Sequence, residues 1–308
     1  MTTHSSVRGR GVRLYGGAAA VLMTVVFTVA QTASGQDAGV SMNVERSDSR
    51  VVFGERVHVR GRVRPKDGGR RVALQYARRG ERFRTVERTR TGGRGRYLLR
   101  AKPTRSGRLR VVAQEAPPSR ERRIAVVPRI ASKKRFHVKS GRRAVVRGKI
   151  RPSVAGRTVR VQIRKRGSWR TVDRARTGGE GRFAAKWRMK RGAGRYKARV
   201  LFRGDRHNTG RARRARVNVY RPGGASWYGP GLYGNTTACG QTLTPRTMGV
   251  ANRWLPCGTK VTFRYRGNTV TVPVIDRGPF HGSRIWDLTY ATKRKLGFGD
   301  VGTVWSTR

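Results

Sequence analysis

One pattern in the chain constrains its fold more than any other. Val59-Arg60-Gly61 recurs as Val146-Arg147-Gly148, and Arg64-Pro65 recurs as Arg151-Pro152, both 87 residues later. Arg84-Thr85-Val86 returns as Arg170-Thr171-Val172, Thr91-Gly92-Gly93 as Thr177-Gly178-Gly179, and Gly95-Arg96-Tyr97 as Gly181-Arg182-Phe183, all 86 residues later. Matched words in one order at one period mean a duplicated domain. The period is too long for the ~20–50-residue units of a solenoid. The copies are assigned to residues 36–127 and 128–220, and both must fold alike.

Each copy reads as short strands. Val57, Val59, Gly61 and Val63 alternate with Arg56, His58, Arg60 and Arg62. In the second copy Val159, Val161 and Ile163 alternate with Thr158, Arg160 and Gln162. Period-two patterning puts one face in a core and the other, cationic, in solvent. Turn signals such as Asp67-Gly68-Gly69, Gly92-Gly93 and Gly178-Gly179 separate the runs. This predicts an all-β chain beginning with two β-sandwich repeats. The copies resemble the cysteine-free immunoglobulin-like modules of bacterial secreted proteins, which implies a spacer or binding role and no chemistry.

Charge sharpens this. The 308 residues carry 72 Lys and Arg against 15 Asp and Glu, a net +57. Residues 36–224 hold 58 basic and 12 acidic residues, a net +46. A magnitude of ~2–8 suffices for the solubility of a small domain. Such a density is self-repulsive, so a polyanionic partner is expected for the repeats. Anionic wall polymers are favoured over DNA, because no nucleic-acid motif or systematic stacking platform is present. The low hydrophobic share (36%) with high charge is also a signature of disorder, which the strand periodicity opposes. A polytopic membrane protein is excluded, and the charge argues against an acidic or neutral cytosolic enzyme.

The first 35 residues read as a secretory signal. Arg8, Arg10 and Arg13 precede an uncharged run from Gly16 to Ala30, and Ala33, Ser34 and Gly35 follow. No stable membrane anchor is expected after cleavage. Arg221-Pro222-Gly223-Gly224 marks a change of composition and is expected to be a linker, 221–224.

Beyond it, Ala225-Ser226-Trp227-Tyr228-Gly229, Thr237-Ala238-Cys239-Gly240, Leu255-Pro256-Cys257-Gly258-Thr259-Lys260, Asp276-Arg277-Gly278-Pro279-Phe280 and Asp287-Leu288-Thr289 follow in order. With these motifs residues 225–308 resemble the RlpA-like (rare lipoprotein A) family, relatives of the expansin catalytic-type domain. The resemblance implies a small six-stranded double-psi β-barrel and a lytic transglycosylase acting on peptidoglycan. Local patterning agrees. Lys260–Tyr265 and Thr269–Val274 alternate around Arg266-Gly267-Asn268 as a hairpin. Thr289 can cap a helix starting near Tyr290, and Gly297 can end it.

Cys239 and Cys257 are the only cysteines. In an exported protein a disulfide is expected; two free thiols or half a metal site are the alternatives. With no Cys-x-x-Cys and no paired His, no metal and no cofactor is called for.

Asp276 ends an apolar strand and precedes a rigid turn. On the residues alone it caps that turn through Gly278 or Phe280. The resemblance instead implies the catalytic acid/base. Asp287 is expected to be structural, at the approach to the helix. Asn252 stands where active relatives carry a His, and it cannot exchange a proton. The family's acidic residue after the glycine turn is also replaced, by Gln241 or Thr242. Trp227, Tyr228, Trp254 and Trp286 are candidates for a sugar groove, two of them expected in the core. Arg277 and His281 are further substrate-binding candidates. Two functions compete: a transglycosylase on glycan strands, and an expansin-like wall-binding protein without catalysis. A secreted polyanion- or DNA-binding protein is third.

Overall fold

In a computed structural model the described residues are 38–44, 49–189 and 192–308. The expected signal segment, 1–35, lies outside them. The first copy contributes β1 (Gly39–Val44), β2 (Arg50–Val52), β3 (Val57–Arg64), β4 (Arg71–Arg78), β5 (Arg84–Arg90), β6 (Arg96–Ala101), β7 (Gly107–Ala113) and β8 (Arg122–Val127). The second contributes β9 (Arg129–Ser132), β10 (Arg135–Lys139), β11 (Arg143–Arg151), β12 (Thr158–Lys165), β13 (Ser168–Arg176), β14 (Arg182–Arg188), β15 (Gly194–Gly204) and the long β16 (Thr209–Tyr228).

Sheet β1-β3-β6 faces β2-β8-β7-β4-β5, and sheet β9-β11-β14 faces β10-β16-β15-β12-β13. Strand for strand the two immunoglobulin-like sandwiches have one topology. Their cores are the apolar sides of the alternating strands, Val57, Val59, Leu74, Leu99 and Leu109 in one, Val146, Val159, Val161, Phe183 and Val217 in the other. Gln162 keeps the expected alternation: it lies on the outer face opposite Arg199, buried beneath its neighbours, and bonds Thr171 (3.0 Å) and Arg199 (2.7 Å). A bulge in β13 places Val172 between the partners of Val161 and Gln162.

The matched words are the positions where the fold tolerates least. Gly61 pairs with Tyr97 and Gly148 with Phe183 across the β3–β6 and β11–β14 ladders. A Cβ on Gly148 would stand 2.5 Å from the Phe183 ring and 2.5 Å from the Ala131 carbonyl oxygen. The aromatic lies over bare backbone, so glycine and ring recur together. Thr91 and Thr177 are buried, each accepting a backbone amide (Arg70, Arg157; 3.0 Å) and donating to a loop carbonyl (Asp67, Val154).

The remaining elements are β17 (Val250–Ala251), β18 (Lys260–Tyr265), β19 (Asn268–Asp276), β20 (Trp286–Thr289), α1 (Tyr290–Leu296) and β21 (Gly302–Ser306). With the end of β16 they pair in the order β16-β20-β17-β19-β18-β21, and β21 returns to β16. The six strands close into the double-psi β-barrel, which leaves no open edge. Val250, Val261, Phe263, Val272, Val274, Trp286, Leu288 and Val304 fill it. Thr289 caps α1 by accepting from the Thr292 amide, and Gly297 ends it at φ 66°.

The segment 221–224 corrects the expected linker. It is the middle of β16, with Arg221, Pro222, Gly223 and Gly224 opposite Ser306, Trp305, Val304 and Thr303. Its glycines serve close approach instead of flexibility: a Cβ on Gly223 would lie 3.0 Å from Trp286 Nε1. One strand thus runs from the second sandwich into the barrel wall.

Candidate active site

Strand β19 sends Val270, Val272 and Val274 into the barrel, and Asp276 emerges half-buried at its end. Its Oδ1 accepts the backbone amides of Ala238 (2.9 Å) and Arg277 (2.9 Å). The cap is therefore real, but its partners differ from the expected Gly278 and Phe280. Ala238 belongs to a loop far away in sequence. That loop is pinned by the Cys239 amide donating to Ile275 O (3.2 Å) and by the Cys239–Cys257 disulfide, Cα–Cα 5.8 Å.

Ala251 of β17 lies between two carboxylates, paired with Asp276 on one side and Asp287 on the other. Two strand spacings put the acidic residues about 10 Å apart along the sheet. Asp287 sits opposite Ser226 on β16. Burial raises its pKa; Ser226 and Arg284 oppose this, and the Asp276 charge adds to it. Tyr228, on the same side of β16 as Ser226, lies against both carboxylates. Burial first, then Asp276 and Asp287, push its phenol far above the usual range. The Tyr228 hydroxyl, Asp287 Oδ1 and Arg284 Nε are buried without a hydrogen bond of good geometry.

Asn252, 1% exposed, does not reach solvent. Its Oδ1 accepts the amides of Trp254 (3.1 Å) and Leu255 (2.8 Å), and its Nδ2 donates to Ile285 O (3.0 Å). Both polar atoms of the amide are engaged, the oxygen in holding the 252–255 turn and the nitrogen in tying it to Ile285. That placement contradicts a direct role on substrate. Arg277 is likewise occupied, donating to Leu255 O (3.0 Å), to Asn252 O (3.4 Å) and to Cys257 Sγ (3.4 Å). It braces the turn instead of facing outward.

Of the four aromatic candidates only Trp286 is fully buried, edge-on to Phe263 at 5.0 Å. Strand alternation turns Trp227 away from Asp276. Its Nε1 donates to Asp300 (2.8 Å) and Lys293 Nζ lies 3.8 Å from its ring centroid. Trp254 is 70% exposed, as is Phe280, which the sequence reading left out of the site. Arg253 ties their loops together, donating to Pro279 O and to Gly282 O (3.1 Å). Its guanidinium lies 5.5 Å from the Trp254 ring. Two exposed rings on joined loops next to a carboxylate suit a sugar chain, whose faces pack on aromatic planes. The signal for Phe280 was its place in Asp276-Arg277-Gly278-Pro279-Phe280, where a large apolar residue follows a turn with nothing to cover it. His281 is exposed on the same loop.

Comparison with known proteins places this geometry. A double-psi β-barrel family model described as a lytic transglycolase matches residues 221–305. A probable endolytic peptidoglycan transglycosylase RlpA from Synechocystis is 40% identical over 99 residues, 29% of this chain and 31% of that protein. The endolytic peptidoglycan transglycosylase RlpA of Pseudomonas aeruginosa is 42% identical over 83 residues, 26% of this chain and 24% of that one. A probable counterpart in Aquifex aeolicus is 41% identical over 87 residues, covering 28% and 38%. The match spans about a quarter to two-fifths of the length of these relatives.

Proposed function

From the premise that residues 221–305 are an RlpA-like double-psi β-barrel, we propose that this protein cleaves peptidoglycan glycan strands as a lytic transglycosylase. The supporting observation is Asp276, fixed by two backbone amides on one oxygen beside the exposed rings of Trp254 and Phe280. In the reaction Asp276 gives its proton to the glycosidic oxygen as the bond from the anomeric carbon breaks. The muramic acid 6-hydroxyl then closes on that carbon and returns its proton to Asp276. Donor and acceptor are one carboxyl, no water is consumed, and the product ends in a 1,6-anhydro ring. Tyr228 and Asp287 supply a polar wall on the side of Asp276 away from solvent. The protein acts outside the cytoplasmic membrane, where its substrate is. No helix among the described residues is long and apolar enough to cross a membrane.

The basic sandwiches attach the enzyme to anionic wall polymers. Their net +46 over 36–224 supports an attraction that falls steeply with salt. Binding of the full protein to intact wall, set against wall stripped of its anionic polymers, tests this. Equal retention on both would end the reading.

A second reading, wall binding without catalysis, is favoured by Asn252. A buried amide with both ends bonded offers no second proton-transfer group. General acid–base catalysis contributes typically ~10²–10⁴-fold, so Asp276 alone gives a slow enzyme. The variant Asp276→Asn separates the two: it should lose glycan cleavage and keep wall binding. Full cleavage by the variant would remove Asp276 from the mechanism.

A further inference from the structure

The two sandwiches share one topology, so each is a reference for the other, and they differ at one instructive place. In the first copy Gln75 stands opposite Arg110, and Arg108 opposite Arg123. In the second, Gln162 stands opposite Arg199, and Lys197 opposite Arg216. These pairs are equivalent. Both copies also hold the central arginine alike. Gln75 Oε1 accepts Arg110 Nε at 2.8 Å and Gln162 Oε1 accepts Arg199 Nε at 2.7 Å. Arg110 lies 4.1 Å from the Phe83 ring centroid, and Arg199 lies 4.3 Å from that of Trp169.

Two residues before Arg123 the first copy has Glu121, which pairs with Arg108 at 2.8 Å. Two residues before Arg216 the second copy has Arg214, directly opposite Arg199. An acid that quenches the row in one copy is a cation in the other. The second copy then stacks Arg135, Arg216 and Lys197 across three neighbouring strands, with Arg214 and Arg199 one pleat further on. Like charges directly opposite destabilise a sheet. The three acidic residues of 128–220 are engaged elsewhere: Asp205 with Arg157 (2.9 Å), Glu180 with Arg182 (2.7 Å), and Asp173 with the Lys186 amide (2.6 Å). These cations line a groove of about 930 Å³.

We propose that this face of the second sandwich is a built site for a linear phosphodiester polymer of the wall, with Arg135, Lys197, Arg199, Arg214 and Arg216 as its phosphate contacts. It deepens the attachment reading above by assigning that attachment to one face. Successive rows are about 7 Å apart along the strands, a spacing that lets neighbouring phosphates each meet a row. Arg199 is pre-oriented by Gln162, and guanidinium forks suit phosphate oxygens. A single-stranded nucleic acid is disfavoured, because the groove is lined by one aromatic ring, Trp169, and Arg199 already lies against it.

The test uses the full protein and restores the first copy's solution. Arg214→Glu is compared with Arg147→Glu, an exposed residue on the opposite sheet, which changes net charge equally. Affinity for poly(glycerol phosphate) and for duplex DNA is measured at matched salt, with the melting temperature of each variant. Arg214→Glu should weaken binding to the polyol phosphate about tenfold or more and flatten the salt slope by one unit or more; Arg147→Glu should change it less than about threefold. The melting temperature of Arg214→Glu should hold or rise, since a like-charge pair is removed. If it falls, Arg214→Gln supplies the same comparison without a new charge. Equal losses in the two Glu variants would overturn the site while leaving attachment by overall charge standing. Stronger, Arg214-dependent binding to DNA would overturn the choice of partner. No binding of wild-type protein to either polymer would end the attachment reading and this one with it.

Discussion

Removing the disulfide tests how the site is held. Cys239 and Cys257 are 18 residues apart. Closing a loop of that size lowers the entropy of the unfolded chain by an amount worth about 3 kcal/mol at 25 °C. The loop keeps short-range bonds of its own, Thr247 N to Thr244 O and Leu255 N to Asn252 Oδ1, so about 3 kcal/mol is an upper figure. Because β16 joins barrel and second sandwich, the cooperative unit is larger than a small barrel. For 150–250 residues each kcal/mol moves the melting temperature by about 2–4 °C. The Cys239→Ser/Cys257→Ser variant should therefore melt about 6–12 °C lower by calorimetry. Its glycan cleavage should fall below the wild-type rate even where it is fully folded, because Ala238, next to Cys239, donates to Asp276. A shift under about 2 °C would mean that the loop is ordered without the bond. An unchanged rate would detach the disulfide from the site.

Three further outcomes follow from the geometry. Asp287 has a raised pKa in the folded state, so its contribution to stability is full at low pH and is lost as pH rises through the folded value; Asp287→Asn should raise the melting temperature more at pH 7 than at pH 4, and an equal effect at both would remove burial of charge as the cause. Gly148→Ala should cost about 1–3 kcal/mol in urea unfolding, against no change for Gly179→Ala, where a Cβ meets nothing within 4 Å; equal effects would undo the close-approach explanation. Trp254→Ala and Phe280→Ala should each raise KM for glycan strands with little change in melting temperature, since both rings are exposed; an unmoved KM in both would place the glycan elsewhere.

Much of the architecture was legible because duplication and period two are written in residues such as Val57, Val59 and their partners 87 residues on. The disulfide followed from two cysteines in a chain expected to be exported. The 221–224 linker misled because Pro and Gly signal turns, whereas here Gly223 makes room for Trp286, a contact 63 positions away. Asn252 and Arg277 were read by residue type. Only the fold shows that their polar atoms are already bonded to backbone across the 252–257 turn. Asp287 and Tyr228 were legible as residues, but their unusual proton affinities arise from burial between β16, β17 and β20, which no local motif carries. The Arg214 row needed register as well as repetition, because equivalent cations in the last strands no longer share the 87-residue offset.

The central claim is non-hydrolytic cleavage centred on Asp276. The most direct measurement is mass spectrometry of glycan strands digested in heavy-oxygen water, with wild-type protein and Asp276→Asn. The account predicts 1,6-anhydromuramic ends without incorporated heavy oxygen for wild type, and no new ends for the variant. Heavy oxygen at the new reducing ends would make the protein a hydrolase. Intact strands after prolonged incubation with wild-type protein that binds the wall would contradict the enzyme outright.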